Sequence, residues 1–310
     1  MAAPTLAEAQ KRQQNPLLLA IIQTFIAEWP ILRNAVVAPI NGNALTFNRE
    51  GTLPAPAFRA VNGTVADSSQ VVASTTVSLK ILASHLKLDQ FLDATAPTMA
   101  AQELSAQIKA IALDGNKAVF KGSATSNPLE CDGLQVQTTA LGTVIANNGA
   151  SGALSLAKLR ELVLKTKGTN KALYMNEGLF LRFQSAADDP TITNISRTTD
   201  QYGLTIPVFD GVPVYMAGED STGAQVLPFT EGTNTDESSI YCVAHGDGFR
   251  FLTNTNPAGD TVDTLGVRTR QKPGSFGKEW EFEWYFAPTI LEKKGVYRLS
   301  GVKDLPAVKA

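Results

Sequence analysis

Ile40-Asn41-Gly42-Asn43-Ala44-Leu45-Thr46-Phe47-Asn48-Arg49-Glu50 opens the segment that decides how this chain is read. Asn41-Gly42-Asn43 is turn chemistry, and Ala44 to Arg49 alternates apolar with polar residues at the period of a strand. Leu53-Pro54-Ala55-Pro56 interrupts the run, and a second stretch from Val71 to Leu82 is rich in β-branched residues. Together they predict a long β-hairpin over 42–80 with an irregular tip. Between residues 42 and 79 only Arg49, Glu50, Arg59 and Asp67 are charged, and no lysine occurs from Gln13 to Leu79. A hairpin so poor in charge is an aggregation hazard in water. It must be covered, by its own domain or by a neighbour.

Upstream, Asn15-Pro16 starts a helix, with an asparagine cap and a proline where no N–H bond is needed. Leu18, Ile21, Ile22, Phe25, Ile26 and Trp29 then form one apolar stripe that ends before Pro30. The stripe reads as a core helix, or as an arm that docks on another subunit. Downstream, Thr95 and Pro97 start a second helix whose Met99, Leu104, Ile108, Ile111 and Ala112 keep the helical period toward Lys121, with Gly122 as terminator. At about 25 residues it would span roughly 37 Å, and Gly115 is its weak point. A polar turn over 122–128 and Asp132-Gly133-Leu134 follow.

Ser155 caps a third helix with Leu156, Leu159, Leu162 and Val163 on its face and Gly168 closing it. Ala172 to Met175 reads as a strand, and Asn176 caps a fourth helix through Phe180 and Phe183. Gly211 to Met216, Ser239 to Val243 and Phe249 to Leu252 read as strands. Val262 to Thr269 and Trp280 to Phe286 read as an antiparallel pair, with Glu281 and Glu283 on its solvent face. There is no internal repeat.

The 310 residues carry a net charge of −2, with 44% hydrophobic and 18% charged residues. That composition excludes global disorder, fibrous repeats and the strongly basic make-up of a chain built to coat nucleic acid. Charge is nonetheless uneven. Residues 183–249 hold ten acids and one base, Arg197, a local −9, against +4 over 1–182 and +3 over 250–310. The acidic block reads as a solvated loop-rich surface, or as a separate lobe with its own solvent exposure. No membrane span or export signal is expected, because the apolar run Leu17 to Ile22 is only six residues long and no small-x-small cleavage site follows it.

Candidates for chemistry are few. Cys131 lies between Glu130 and Asp132, whose charges disfavour a thiolate. With Cys242 it is expected to be an ordinary buried thiol, though a single bridge between the two is also compatible. His85 has no acid at contact spacing, and His245-Gly246-Asp247-Gly248 reads as a tight turn between strands. Gly274 to Lys278 ends like a phosphate loop, but Glu279 stands where Ser or Thr is required. The calcium-like Asn254 to Gly259 has Leu265 at position twelve. No catalytic residue, cofactor or metal site is expected, and architecture without a visible active site favours a structural protein over an enzyme.

The order of elements resembles the major capsid proteins of tailed bacteriophages. The resemblance is carried by Ile40 to Glu50, Leu53-Pro54, Ala57-Phe58-Arg59-x-Val61-Asn62, Lys117 to Gly122, Asn127-Pro128 and Asp132-Gly133-Leu134. It implies an α+β fold with an N-terminal arm over 1–41 and an extended hairpin loop over 42–80 that lies across the adjacent subunit. It also implies a peripheral domain over 81–133 and 251–285 with a spine helix at about 97–121, and an axial α/β domain over 134–250 and 286–310. The implied function is self-assembly into hexamers and pentamers of a virion shell around double-stranded DNA, built in the host bacterial cytoplasm, with scaffolding, portal and decoration proteins as further partners. Phe25, Trp29, Arg49, Glu50, Phe58 and Arg59 are the expected inter-subunit contacts, and Lys109, Lys117 and Lys121 form a candidate interior face toward DNA. An encapsulin-type compartment shares the fold and is the alternative. A β-rich hydrolytic enzyme is the distant one. Some relatives weld subunits through a loop lysine, and a loop without lysine predicts a shell held by non-covalent contacts.

Overall fold

The computed structural model describes residues 29–89, 91, 95, 99–147, 150–187, 195–199, 205–254, 267–273 and 277–308. Two sheets organise them. The larger has seven strands in the order β5-β14-β10-β6-β9-β8-β7. These are β5 (Val144–Ala146), β6 (Lys171–Met175), β7 (Ile195–Thr199), β8 (Thr205–Phe209), β9 (Val212–Met216), β10 (Glu237–Ala244) and β14 (Val296–Lys303). Alternation along β6 shows why the sheet is buried on both faces. Ala172 and Tyr174 join one core with Tyr215, Tyr241 and Phe120. Leu173 and Met175 join another with Leu159 and Leu162 of helix α4 (Leu156–Lys165) and Leu179 and Phe183 of α5 (Glu177–Ala187).

The second sheet holds β1 (Val37–Ile40), β4 (Lys80–Asp89), β11 (Phe249–Asn254), β12 (Val267–Pro273) and β13 (Gly277–Ile290). The long β13 is its axis. It pairs antiparallel with β4 along Gly277–Phe286, and with β12 and β11 in succession. Phe282 and Trp284 point into the core while Glu279, Glu281 and Glu283 keep partial exposure, the alternation the sequence predicts. Helix α2 (Met99–Lys121) is 23 residues long and buries Ile108, Ile111, Ala112, Val119 and Phe120 between the sheets. Its exit is tight, since a Cβ on Gly133 would lie 2.8 Å from the carbonyl oxygens of both Ala118 and Val119. This explains the glycine of Asp132-Gly133-Leu134.

Both capped helices start where the sequence places them. The Ser155 hydroxyl accepts from the Lys158 N–H at 3.1 Å, and the Asn176 side chain accepts from Gly178 N–H at 2.6 Å. Helix α4 ends earlier than expected, on Thr166 rather than Gly168. The structure adds helix α3 (Leu134–Leu141) and strands β1, β5, β7, β8 and β14 to the sequence reading. The short helix α1 (Pro30–Asn34) and β1, which pairs parallel with β11, build residues 30–40 into the subunit core. Residues 1–28, with Phe25 and most of the apolar stripe, lie outside the described residues.

Candidate assembly surface

The hairpin pairs with neither large sheet, and its base packs on the body, where Leu45 and Val77 lie against Ile40, Leu252 and Ala287. Strands β2 (Ala44–Thr52) and β3 (Val71–Ser78) pair only with each other, from Ala44 opposite Ser78 to Thr52 opposite Val71, with one bulge at Gly51. Between them residues 53–70 form an irregular tip that is exposed throughout, Leu53 at 62%, Val61 at 92% and Phe58 completely. An aromatic and several aliphatic side chains exposed on one tip are a surface that gains by being covered. Arg59 is on the same tip and reaches only the Gly63 carbonyl, at 3.4 Å. Glu50 pairs through its backbone with Val72, and its side chain lies outside the described set.

Other expected contacts are turned inward. Trp29 has no exposed surface. Its ring packs edge-on against Trp284 at 4.9 Å, Phe251 at 6.0 Å and Phe286 at 6.2 Å, so it anchors the core of its own chain. Arg49 is also intramolecular. Its Nε donates to the Leu291 carbonyl at 3.3 Å, one Nη to Thr75 Oγ1 at 3.2 Å, and the other to the Ile290 carbonyl, while the guanidinium lies 4.9 Å from the Phe47 ring.

The three lysines of α2 separate. Lys109 is exposed beside a groove lined by Pro30, Leu113 and Met216. Lys117 pairs with Asp220 at 2.8 Å, and Lys121 with Glu231. Lys117 and the Thr222 hydroxyl hold the Asp220 carboxyl well below the usual carboxylate range. Burial pushes Glu231 upward, but hydrogen bonds from Lys121 and Ser239 and the charges of Lys121 and Arg298 more than offset it, leaving the net shift downward. Arg298 closes this cluster at 2.7 Å from Glu231. Lys117 and Lys121 therefore tie the long helix to the acidic block, with the Lys117 side chain still half exposed.

Burial mutes three of the remaining reactive groups, while His85 stays half exposed with its Nε2 3.9 Å from Glu279 Oε2. Cys131 and Cys242 are free and buried, their thiols pushed up to about 12 and about 11. His245 is buried, pushed down to about 3 by desolvation, and its Nε2 lies 2.9 Å from the Tyr174 hydroxyl. It begins the turn from β10 to β11, where Gly246 takes a positive φ, as the sequence suggests. Among the described residues no cluster of His, Cys, Asp and Glu is arranged to hold a metal, and no helix is long and apolar enough to cross a membrane.

No protein-family model matches the chain, and no curated protein matches it in sequence. Solved structures do match. The chain is similar to the holo-SrpI encapsulin complex from Synechococcus elongatus PCC 7942, with TM-score 0.65 and 14% identity over 100% of this chain and 99% of that one. It is similar to the capsid asymmetric unit of cyanophage A-1(L), with TM-score 0.61 and 12% identity over 89% and 93% of the two chains. A native GTA particle capsid matches with TM-score 0.57 and 14% identity over 90% of each chain. The α+β fold of this chain is the one shared by phage capsid proteins and an encapsulin.

Proposed function

We propose that this chain is a shell protein whose copies assemble through the extended hairpin. The observation that carries the reading is the hairpin itself, a two-stranded ribbon paired with neither large sheet, whose tip is exposed throughout and includes Leu53, Phe58 and Val61, on a fold shared with capsids and an encapsulin. A ribbon of this kind gains most when it lies on another copy, and repeated head-to-tail contacts close into rings where the rotation permits. The rings are hexamers and pentamers, and the shell is a virion capsid enclosing double-stranded DNA, assembled in a host bacterial cytoplasm. Its division is an arm over 1–41 whose residues 29–40 are anchored in the core, a loop over 42–80, a peripheral domain over 81–133 and 251–285, and an axial domain over 134–250 and 286–310. Phe58, Arg59, Glu50 and Phe25 are the contacts proposed between subunits. Scaffolding, portal and decoration proteins are proposed as further partners. No catalysis or cofactor enters the function.

Negative-stain microscopy of the purified chain tests the shell. Hollow closed particles are expected, and a strictly monomeric protein at high concentration overturns the reading. The likeness to an encapsulin over the whole chain favours a second reading, a compartment whose cargo is protein. Nuclease-protected DNA in particles from the native source supports the capsid, and co-purifying protein cargo without DNA supports the compartment.

A further inference from the structure

We propose that Arg49 is a latch that fixes the angle at which the hairpin leaves the subunit body, so that its reach is set before any neighbour is touched. Two covalent strands join hairpin to body. One passes through Asn41-Gly42-Asn43, where Gly42 takes φ +95° and has open space around it. The other passes through Leu79, between β3 and β4, whose N–H donates to the Asn43 carbonyl at 2.8 Å. Leu45, Val77 and Leu79 also pack there against Ile40, Leu252 and Ala287, but these contacts sit at the pivot and give little leverage over the tip. Arg49 lies six residues beyond Asn43, roughly 20 Å along an extended strand, where a tether has a long lever arm.

At that point its guanidinium bridges the hairpin, through Thr75 and the Phe47 ring, to the Ile290 and Leu291 carbonyls at the end of β13. Only a planar fork with several donors satisfies that set at once; an ammonium does not. The contacts so described are neutral carbonyls, a hydroxyl and a ring, so release leaves no carboxylate stranded. Beneath the hairpin base lies a cleft of about 300 Å³ lined by Thr75, Val77, Asp132, Gln137 and Pro288, which leaves room for the hairpin to swing toward α3 once the latch opens. Arg49 is thus a positioning residue for the assembly contact.

This inference takes its purpose from the shell reading, but it can be measured in the unassembled full-length chain. Cys131 and Cys242 are buried, so spin labels can be directed to Ser69→Cys on the tip and Thr139→Cys on α3, both exposed positions. The parent should give one narrow inter-label distance. Arg49→Ala should lose that peak to a broad distribution, with Arg49→Lys between the two. Exchange of the Leu79 amide should accelerate about tenfold in Arg49→Ala, the factor expected from losing a charge-assisted hydrogen bond. Fluorescence of the buried Trp29 and Trp284 reports that the core stays folded. Should Arg49→Ala lose that signal, Arg49→Lys decides alone. A distance distribution and Leu79 exchange identical to the parent overturn the latch, whether or not shells form. A latch that behaves as expected in a chain that never forms particles overturns the shell reading and leaves the latch standing.

Discussion

Trp29 can be seated only because residue 115 carries no side chain. A Cβ there would fall 2.5 Å from Cη2 of the Trp29 ring and 2.8 Å from Cζ3. The ring cannot retreat, since Trp284, Phe251 and Phe286 box it in. Gly115→Ala gains about 1 kcal/mol of helix propensity but incurs about 1–3 kcal/mol of overpacking. The expected result is net destabilisation, read as a lower urea midpoint at unchanged slope. Trp29→Ala should cost about 3–5 kcal/mol, and in that background Gly115→Ala should become stabilising. A penalty that persists in the double variant contradicts the steric account. Glu231 supplies a second test. Its carboxyl titrates below its ordinary 4.5 in the folded chain. Its stabilisation is therefore complete above the unfolded value and lost as pH falls through the folded one. Glu231→Gln should flatten stability against pH relative to the parent as pH falls below the ordinary 4.5. The difference matters because Asp220 and Glu161 are also depressed and remain in both proteins. At neutral pH Glu231→Ala should cost about 3 kcal/mol, since it leaves Arg298 and Lys121 facing an empty partner.

The hairpin, as an element, is proposed to carry assembly, and its tip contributes little to the fold of a single chain. Thr52 pairs with Val71, so an Asn-Gly type I′ turn can replace residues 53–70 and keep β2 and β3 in register. The shortened chain should unfold within about 1 kcal/mol of the parent, because loop closure changes slowly with length, yet form no particles under the microscope. Normal particle yields would falsify the assigned role of the tip. The hairpin, α2 and the starts of α4 and α5 were legible in the sequence because their signals are local: alternation, proline breaks, a helical stripe, Ser155 and Asn176 caps. Helix α3 was not, since it starts on Gly133, which offers no capping side chain, and its Leu-Gln-Val-Gln-Thr-Thr core has no strong preference. Strands β1, β7 and β14 take their identity from their neighbours in the sheets. The same limit explains Trp29 and Arg49. Both were read as interface residues, and both are held by partners more than two hundred positions away, at Phe251 and Trp284, and at Ile290 and Leu291. Local pattern carries no trace of such distances.

Across the whole molecule, the uneven charge of the sequence resolves into pairing between segments. The acidic block meets bases from both flanks, Asp210 with Arg160, Asp220 with Lys117, Glu231 with Lys121 and Arg298, and Asp236 with Lys303. It is stitched to the body instead of standing off as a solvated lobe. In the proposed shell, cohesion between copies has to come from elsewhere, and the hairpin limits the choices. Welding two subunits through an isopeptide bond, as some relatives of this fold do, needs a neutral amine held at a carbonyl. No lysine occurs from Gln13 to Leu79, and Lys80 sits at the hairpin base with its Nζ 2.7 Å from the Pro128 carbonyl of its own chain. Arg49 and Arg59 cannot take its place, because a guanidinium stays protonated. Mature particles should therefore be held by burial and hydrogen bonds alone. Boiled, reduced particles should run near the 33.0 kDa of one chain on a denaturing gel. A ladder of multiples would show a covalent link that the hairpin's composition does not provide.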